Sequence, residues 1–274
     1  MPVALEYFST VNGALMSTAM DHETIAKVFS TWNKGDLSSY LLEITIAILR
    51  KKVNGDYLID KILDKAENKG TGSWSSKTAM DLGVPTTMMT SAVFARYISA
   101  LKPTRELLSK QLQSQKQGEG SLDLKPLEQA YRFARIVNHH QGFEIMSEAS
   151  KTYHWNLNLS EIARIWTNGC IIRSQLMQDA SSYLKGHKDL LSHPDSFENL
   201  QRSESSIADV LRHAISNRVP LDTFWAAYTY WISLTTERLP ANLTQAQRDY
   251  FGAHTYQRLD RPATEYFHTN WKTS

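Results

Sequence analysis

Cysteine is almost missing from this 274-residue sequence, which has one, Cys170. A single thiol excludes an internal disulfide framework and a cysteine-built zinc site, and it fits a reducing compartment. Net charge is almost missing too: the formal value is +2, so no strong basic field points to nucleic acid. No apolar run reaches the length a membrane-spanning helix needs. The N-terminal stretch MPVALEYFSTVNGALMST has no basic residues ahead of its apolar ones. No secretory signal is read there, and a cytoplasmic location is expected. Strand-like alternation, a βαβ pattern and short repeats are absent, as is a GxGxxG turn after a strand. Their absence excludes a sheet-based fold, a solenoid and a dinucleotide fingerprint within the chain.

What is present is helical periodicity and helix punctuation. The expected class is all-α: one large multi-helix domain over residues 1–274, ending in an irregular tail. An imperfect helix is read over residues 3–20, weakened by Gly13. Asp21 reads as the N-cap of the next helix, and Asn33-Lys34-Gly35 as its end. Asp36 reads as the cap of a third, and Asn54-Gly55 as a turn. Helices are expected over 74–82, stopped by Gly83, and 85–101, started by Pro85. Residues 122–153 form the longest periodic run and read as a central helix. Asn158 or Ser160 caps the next one, and Cys170–Leu184 reads as another. Gly186 and Pro194 break residues 186–203. Further helices follow near 205–217, 221–237 and 242–251, the last stopped by Gly252. Residues 253–274 carry little periodicity. The seven tryptophans are read mostly as core.

Few residues point to chemistry. In Lys69-Gly70-Thr71-Gly72 the glycines let backbone N–H groups approach an anion, Lys69 adds a charge and Thr71 a hydroxyl. A helix start just after would add its positive end. The four-residue pattern is weak by itself and lacks Walker-loop spacing. Arg96 lies on an apolar helical face, where a guanidinium either forms a structural ion pair or binds phosphate bidentately. Arg248 and His254 fall at a helix end, where both could bind an anion or serve the helix dipole. His139-His140 are adjacent on a helix and point in different directions, so no shared metal is expected. Cys170 reads as a buried structural thiol.

Four segments carry a resemblance: KGTGSW, LGVPTTMMTSAVFAR, WTNGCIIRS and LPANLTQAQRDYFGAHTY. They resemble the C-terminal domain of the 6-phosphogluconate dehydrogenase family, NADP-dependent decarboxylating enzymes of the pentose phosphate pathway. The resemblance is collinear from about Ile25 to the C-terminus, and the first 24 residues match poorly. It implies an all-helical domain, a homodimer, and a site for 6-phosphogluconate or a similar sugar acid phosphate shared between subunits. By resemblance Lys69, Thr71 and Arg96 hold the phosphate from one subunit. Arg248 and His254 reach it from the partner, on which the tail 253–274 would pack. If Leu5-Glu6-Tyr7 is the counterpart of the family's Ile-Glu-Tyr, Glu6 stands in the place of its general acid and Tyr7 in that of a phosphate-binding tyrosine.

Two family features have no counterpart. The catalytic lysine is missing, since Met1-Pro2-Val3-Ala4 precede Leu5, and so is the NADP-binding Rossmann domain. The family's reaction passes a hydride to the nicotinamide and then loses CO₂, with a base for the hydroxyl proton and an acid for the enol. The expectation is therefore a helical substrate-binding and dimerisation domain without dehydrogenase activity of its own. NADPH production by the purified chain would contradict that. Two alternatives stand beside it: half of a split enzyme completed by a separate nucleotide-binding chain, or a purely structural dimerisation fragment.

Overall fold

The computed structural model describes residues 11–18, 20–67, 69–112 and 122–272. Among them are twelve α-helices, with one two-residue hairpin as the only sheet. The first, α1, is described over residues 11–16. Asp21 caps α2 (His22–Trp32) as expected, its carboxylate accepting from the Thr24 amide at 2.7 Å. The helix α3 (Tyr40–Arg50) starts later than Asp36 implied, because Ser39 is its cap and accepts from the Leu42 amide at 3.2 Å. Asp36 is engaged elsewhere, in an ion pair with Arg132, and Leu37 turns into the core.

Asn54 and Gly55 both adopt positive φ, 53° and 91°. They join β1 (Lys52–Val53) to β2 (Asp56–Tyr57), the geometry a tight hairpin demands. A 3-10 turn, Leu58–Lys61, follows the hairpin. The helix α4 (Thr71–Asp81) starts three residues earlier than expected and ends as predicted at Gly83. There the Val84 amide donates to the Ala79 carbonyl at 2.8 Å and the Gly83 amide to Met80, a paired C-terminal cap. Pro85 lies just before α5 (Thr87–Ala100) instead of inside it. No side chain of its own caps α5. Buried Gln141 does so from another helix, accepting from the Met88 amide and donating to the Thr87 hydroxyl, both at 3.0 Å. Pro103 sits in the first turn of α6 (Lys102–Gln111), where its missing N–H costs nothing.

The helix α7 (Leu124–Thr152) is the axis of the fold, with 29 residues. Leu127, Ala130, Phe133, Ala134, Val137, Gln141 and Phe143 are buried around its whole circumference, so it has neighbours on every side. The most extensive of these is α10 (Pro194–Asn217). Leu200, Ser203, Ile207, Val210, Leu211 and Ala214 recur at helical spacing along its buried face. Sequence reading broke this helix at Pro194, but the proline occupies its first turn and His193 caps it. A proline there starts a helix instead of stopping one.

Asn158, not Ser160, caps α8 (Leu159–Ile165), and Ser160 is tied to the Ser181 carbonyl at 2.6 Å. The helix read over Cys170–Leu184 is shorter. It is α9 (Gln175–Tyr183), capped by Ser174, and Cys170 lies in the turn before it, half-buried and not in the core. The pair α8–α9 docks on α7 through Phe143, Ala163, Met177, Ala180, Leu184 and Leu190. The helix α11 (Asp222–Thr235) follows.

The chain divides into two compact units, Met1–Tyr230 and Trp231–Ser274. In the second, α12 (Ala241–Gly252) is followed by a tail in which Tyr256 and Phe267 exchange backbone hydrogen bonds of 2.9 and 2.8 Å. Among the described residues no helix is long and apolar enough to cross a membrane.

Candidate functional site

In the first unit the site is built on the start of α4. Gly70 has φ 96°, a left-handed conformation that any other residue would adopt with strain. That reversal sets Thr71 as the first helical residue, exposed, two positions after exposed Lys69. The cap residue is a glycine with no side chain of its own to offer, and no acid sits in the first turn of α4. The positive end of the helix therefore keeps no negative side chain of its own. Lys69 and Thr71 flank an N-terminus suited to an anion.

Arg96 is half-buried on α5. Its turn is tied to the run leading into the glycine loop. The Ala66 amide donates to the Ser99 hydroxyl at 3.0 Å, and that hydroxyl donates to the Arg96 carbonyl at 2.7 Å. The run is clamped again at Asp64, which pairs with Lys102 at 2.6 Å and Arg105 at 2.9 Å. Hydrogen bonds from Lys102 and then Arg105 hold the Asp64 carboxyl down to about 2. Lys69, Thr71 and Arg96 are thus carried on segments fastened to each other.

In the second unit Arg248 is exposed on α12 and hydrogen-bonds Gln245 Oε1 at 3.3 Å. His254 follows the helix, its exposed ring edge-on to Phe251 at 5.8 Å. Between them Asp249 is fully buried. Its Oδ1 accepts from the Thr255 amide and His268 Nδ1, both at 2.9 Å. Its Oδ2 accepts from the Thr269 amide at 3.1 Å and Trp271 Nε1 at 2.8 Å. Burial raises the carboxyl, but His268, Thr269, Trp271 and Thr255 outweigh it and hold it at about 2.

Of the residues named from sequence, Glu6 and Tyr7 lie outside the described residues. Asp249, Gln245, His268 and Trp271 went unread. A signal for Asp249 did exist: an acid in the last turn of a helix opposes the dipole and needs local donors. The tryptophans correct their reading. Trp32 and Trp231 are buried, but Trp74 is 71% exposed, and Trp155, Trp225 and Trp271 are exposed too.

The adjacent histidines take different partners. His139 Nδ1 lies 2.8 Å from the Arg135 carbonyl, and His140 Nε2 lies 3.1 Å from the Tyr230 hydroxyl. His140 Nδ1 is buried without a hydrogen bond, 3.9 Å from Asp189. Burial pushes His140 down to about 4, against the pull of Asp189 and with the push of Lys188. Glu144 on the same helix is itself raised by burial and by Asp189, and Tyr230 is pushed up to about 12 by burial. An unfolded histidine takes its proton near 6.5, so the stability tied to neutral His140 is full above that pH and is lost as pH falls toward 4. From pH 7 to pH 5 this residue should remove about 2 kcal/mol. Urea unfolding at both pH values, with His140→Gln beside the wild type, checks it. The variant is expected to lose about 2 kcal/mol less over that interval, and an equal loss in both would refute the assignment.

Known proteins match this chain in sequence and fold. The family described as 6-phosphogluconate dehydrogenase, C-terminal domain, matches residues 5–271. The decarboxylating 6-phosphogluconate dehydrogenase of Escherichia coli strain K12 is 44% identical over 278 aligned residues, 99% of this chain and 58% of that protein. The enzyme of the same description from Buchnera aphidicola is 45% identical over 92% of this chain and 55% of its own length. Among solved structures, Plasmodium falciparum 6-phosphogluconate dehydrogenase superposes with a TM-score of 0.92 at 32% identity, covering 98% of this chain and 60% of that one. It was described apo, with its cofactor NADP+ and with its substrate 6-phosphogluconate. The chain spans less than two thirds of these relatives.

Proposed function

The chain belongs to the 6-phosphogluconate dehydrogenase C-terminal domain family, and from that premise we propose that it is the substrate-gripping and dimerisation part of such an enzyme. Its ligand is 6-phosphogluconate or a similar sugar acid phosphate. Lys69, Thr71 and Arg96 hold the phosphate from one copy, and Arg248 and His254 reach it from a second. The observation that carries this reading is the acid-free start of α4, turned by left-handed Gly70 between Lys69 and Thr71. A phosphate dianion there gains the helix dipole, a lysine charge and a hydroxyl, and a guanidinium can meet two of its oxygens at once.

Sharing the site between copies agrees with the exposed apolar surface. In the first unit Trp74 and Met80 are 71% and 67% exposed, and in the second Phe251, Tyr266 and Leu259 are 73%, 68% and 91% exposed. Apolar surface of this kind marks an interaction site. Glu6 is proposed as the general acid and Tyr7 as a further phosphate contact. The family's relatives work with a nicotinamide cofactor, which would accept the hydride. The described residues hold no strand–glycine-loop–helix unit for a dinucleotide, so no residue here is assigned to it and no step is routed through it.

Calorimetric titration tests the reading. 6-Phosphogluconate is expected to bind the chain saturably, and gluconate, which lacks the phosphate, is not. No binding by either, or equal binding by both, overturns the proposal.

A further inference from the structure

Arg248 and His254 are separated by the end of a helix, a glycine and a backbone reversal. Two flexible side chains so placed would not by themselves converge on one phosphate. The tail contains a frame that removes this freedom. His254 lies between Ala253 at φ 50° and Thr255 at φ 59°, two non-glycine residues in the left-handed region. Each is strained there and needs an outside hold. The Asp249 carboxylate supplies one by accepting from the Thr255 amide at 2.9 Å, and the Ala253 amide donates to the Asp249 carbonyl at 2.9 Å. Gln245 supplies another: its Nε2 donates to the Thr255 carbonyl while its Oε1 accepts from Arg248. One side chain thus ties Arg248 to the residue that follows His254. The His254 ring also lies over Gly252, where a Cβ would meet the ring at 2.9 Å, so only glycine leaves it that place.

The remaining lone pairs of Asp249 gather the far end of the tail. His268, the Thr269 amide and Trp271 all donate to it. A buried carboxylate with four donors is satisfied only as an anion held in this one arrangement. We propose that Asp249 and Gln245 are positioning residues for the phosphate grip. They set Arg248 and His254 as one rigid unit before the ligand arrives. The inference rests on the phosphate reading of Arg248 and His254.

Asp249→Asn replaces one acceptor oxygen by a donor NH₂ that must face a donor already in place. Gln245→Ala is the second variant; it removes the Arg248 and Thr255 ties and leaves the four donors of Asp249 intact. Both are titrated with 6-phosphogluconate, alone and combined with Arg248→Ala/His254→Ala, and amide exchange is followed at Thr255 and Thr269. The expected result is affinity at least tenfold weaker in either single variant. Within the Arg248→Ala/His254→Ala background neither should add a further loss, because the residues they position are gone. Affinity within twofold of wild type in both variants overturns the inference. So does an equal loss in both backgrounds, which would mark a merely structural role. If the wild-type chain binds no 6-phosphogluconate, the phosphate reading fails and exchange decides the frame. Faster exchange at Thr255 in both variants then supports it, and unchanged protection overturns it.

Discussion

Arg248→Ala is expected to weaken 6-phosphogluconate binding about 10- to 150-fold, the loss of one or two charge-assisted hydrogen bonds at roughly 1.5–3 kcal/mol. The side chain is exposed and its one described bond is a 3.3 Å contact to Gln245. Folding stability should therefore move by less than about 0.5 kcal/mol. Arg248→Lys keeps the charge and loses the planar fork, so its affinity should fall between the two. Calorimetry and thermal unfolding on the three proteins read both quantities. If Arg248→Ala binds as the wild type does, the second half of the grip does not exist, and the phosphate is held by the α4 end alone. Dilution supplies an independent check. A site completed by a second copy loses affinity as the dimer separates, whereas a site within one copy does not.

Phe143→Ala is expected to destabilise the first unit by about 3–5 kcal/mol, lowering the melting temperature by about 10 °C. Phe143 is 1% exposed at the point where α8 and α9 meet the long helix, beside Met177 and Leu190 and 6.1 Å from the Trp166 ring. Its removal leaves a void that the surrounding helices can close only in part. Chemical denaturation measures the loss. A cost under about 1 kcal/mol would mean that the α8–α9 pair is not docked through this residue. Phe251→Ala is the natural contrast: the ring is 73% exposed, so it should leave folding stability nearly unchanged and act on self-association instead.

Much of the fold was legible because helix ends are written locally. Asp21 and Gly83 act within a few residues of themselves and were read correctly, and Asn158 was one of the two caps the sequence offered. The misreadings share one cause, a local signal overruled by a distant partner. Asp36 has a capping side chain, but Arg132 takes it. Ser160 has one too, yet it serves the Ser181 carbonyl, 21 residues on. Pro194 reads as a breaker or as a starter, and His193 with the buried stripe of α10 decides for the starter. The start of α5 was read two residues early, at Pro85, and the group that caps it, Gln141, lies 53 residues from Met88.

The proposed phosphate residues divide in the same way. Lys69 and Thr71 were visible because an anion-binding turn places glycine, charge and a hydroxyl close in sequence, whereas Arg96, Arg248 and His254 were named through the family resemblance. The devices that hold them were not. Ser99 fastens the glycine loop to the turn of Arg96, and Asp249 gathers Thr255, His268, Thr269 and Trp271 from up to 22 residues away. Sequence alone determined the all-α class, most helix boundaries and the family, because periodicity, caps and motifs are short-range. Tertiary structure alone decided which tryptophans are buried, that burial pushes His139 and His140 down to about 4, and that an acid at a helix end anchors the tail. Burial and the pairing of polar groups depend on what the rest of the chain brings alongside, and no local pattern encodes that.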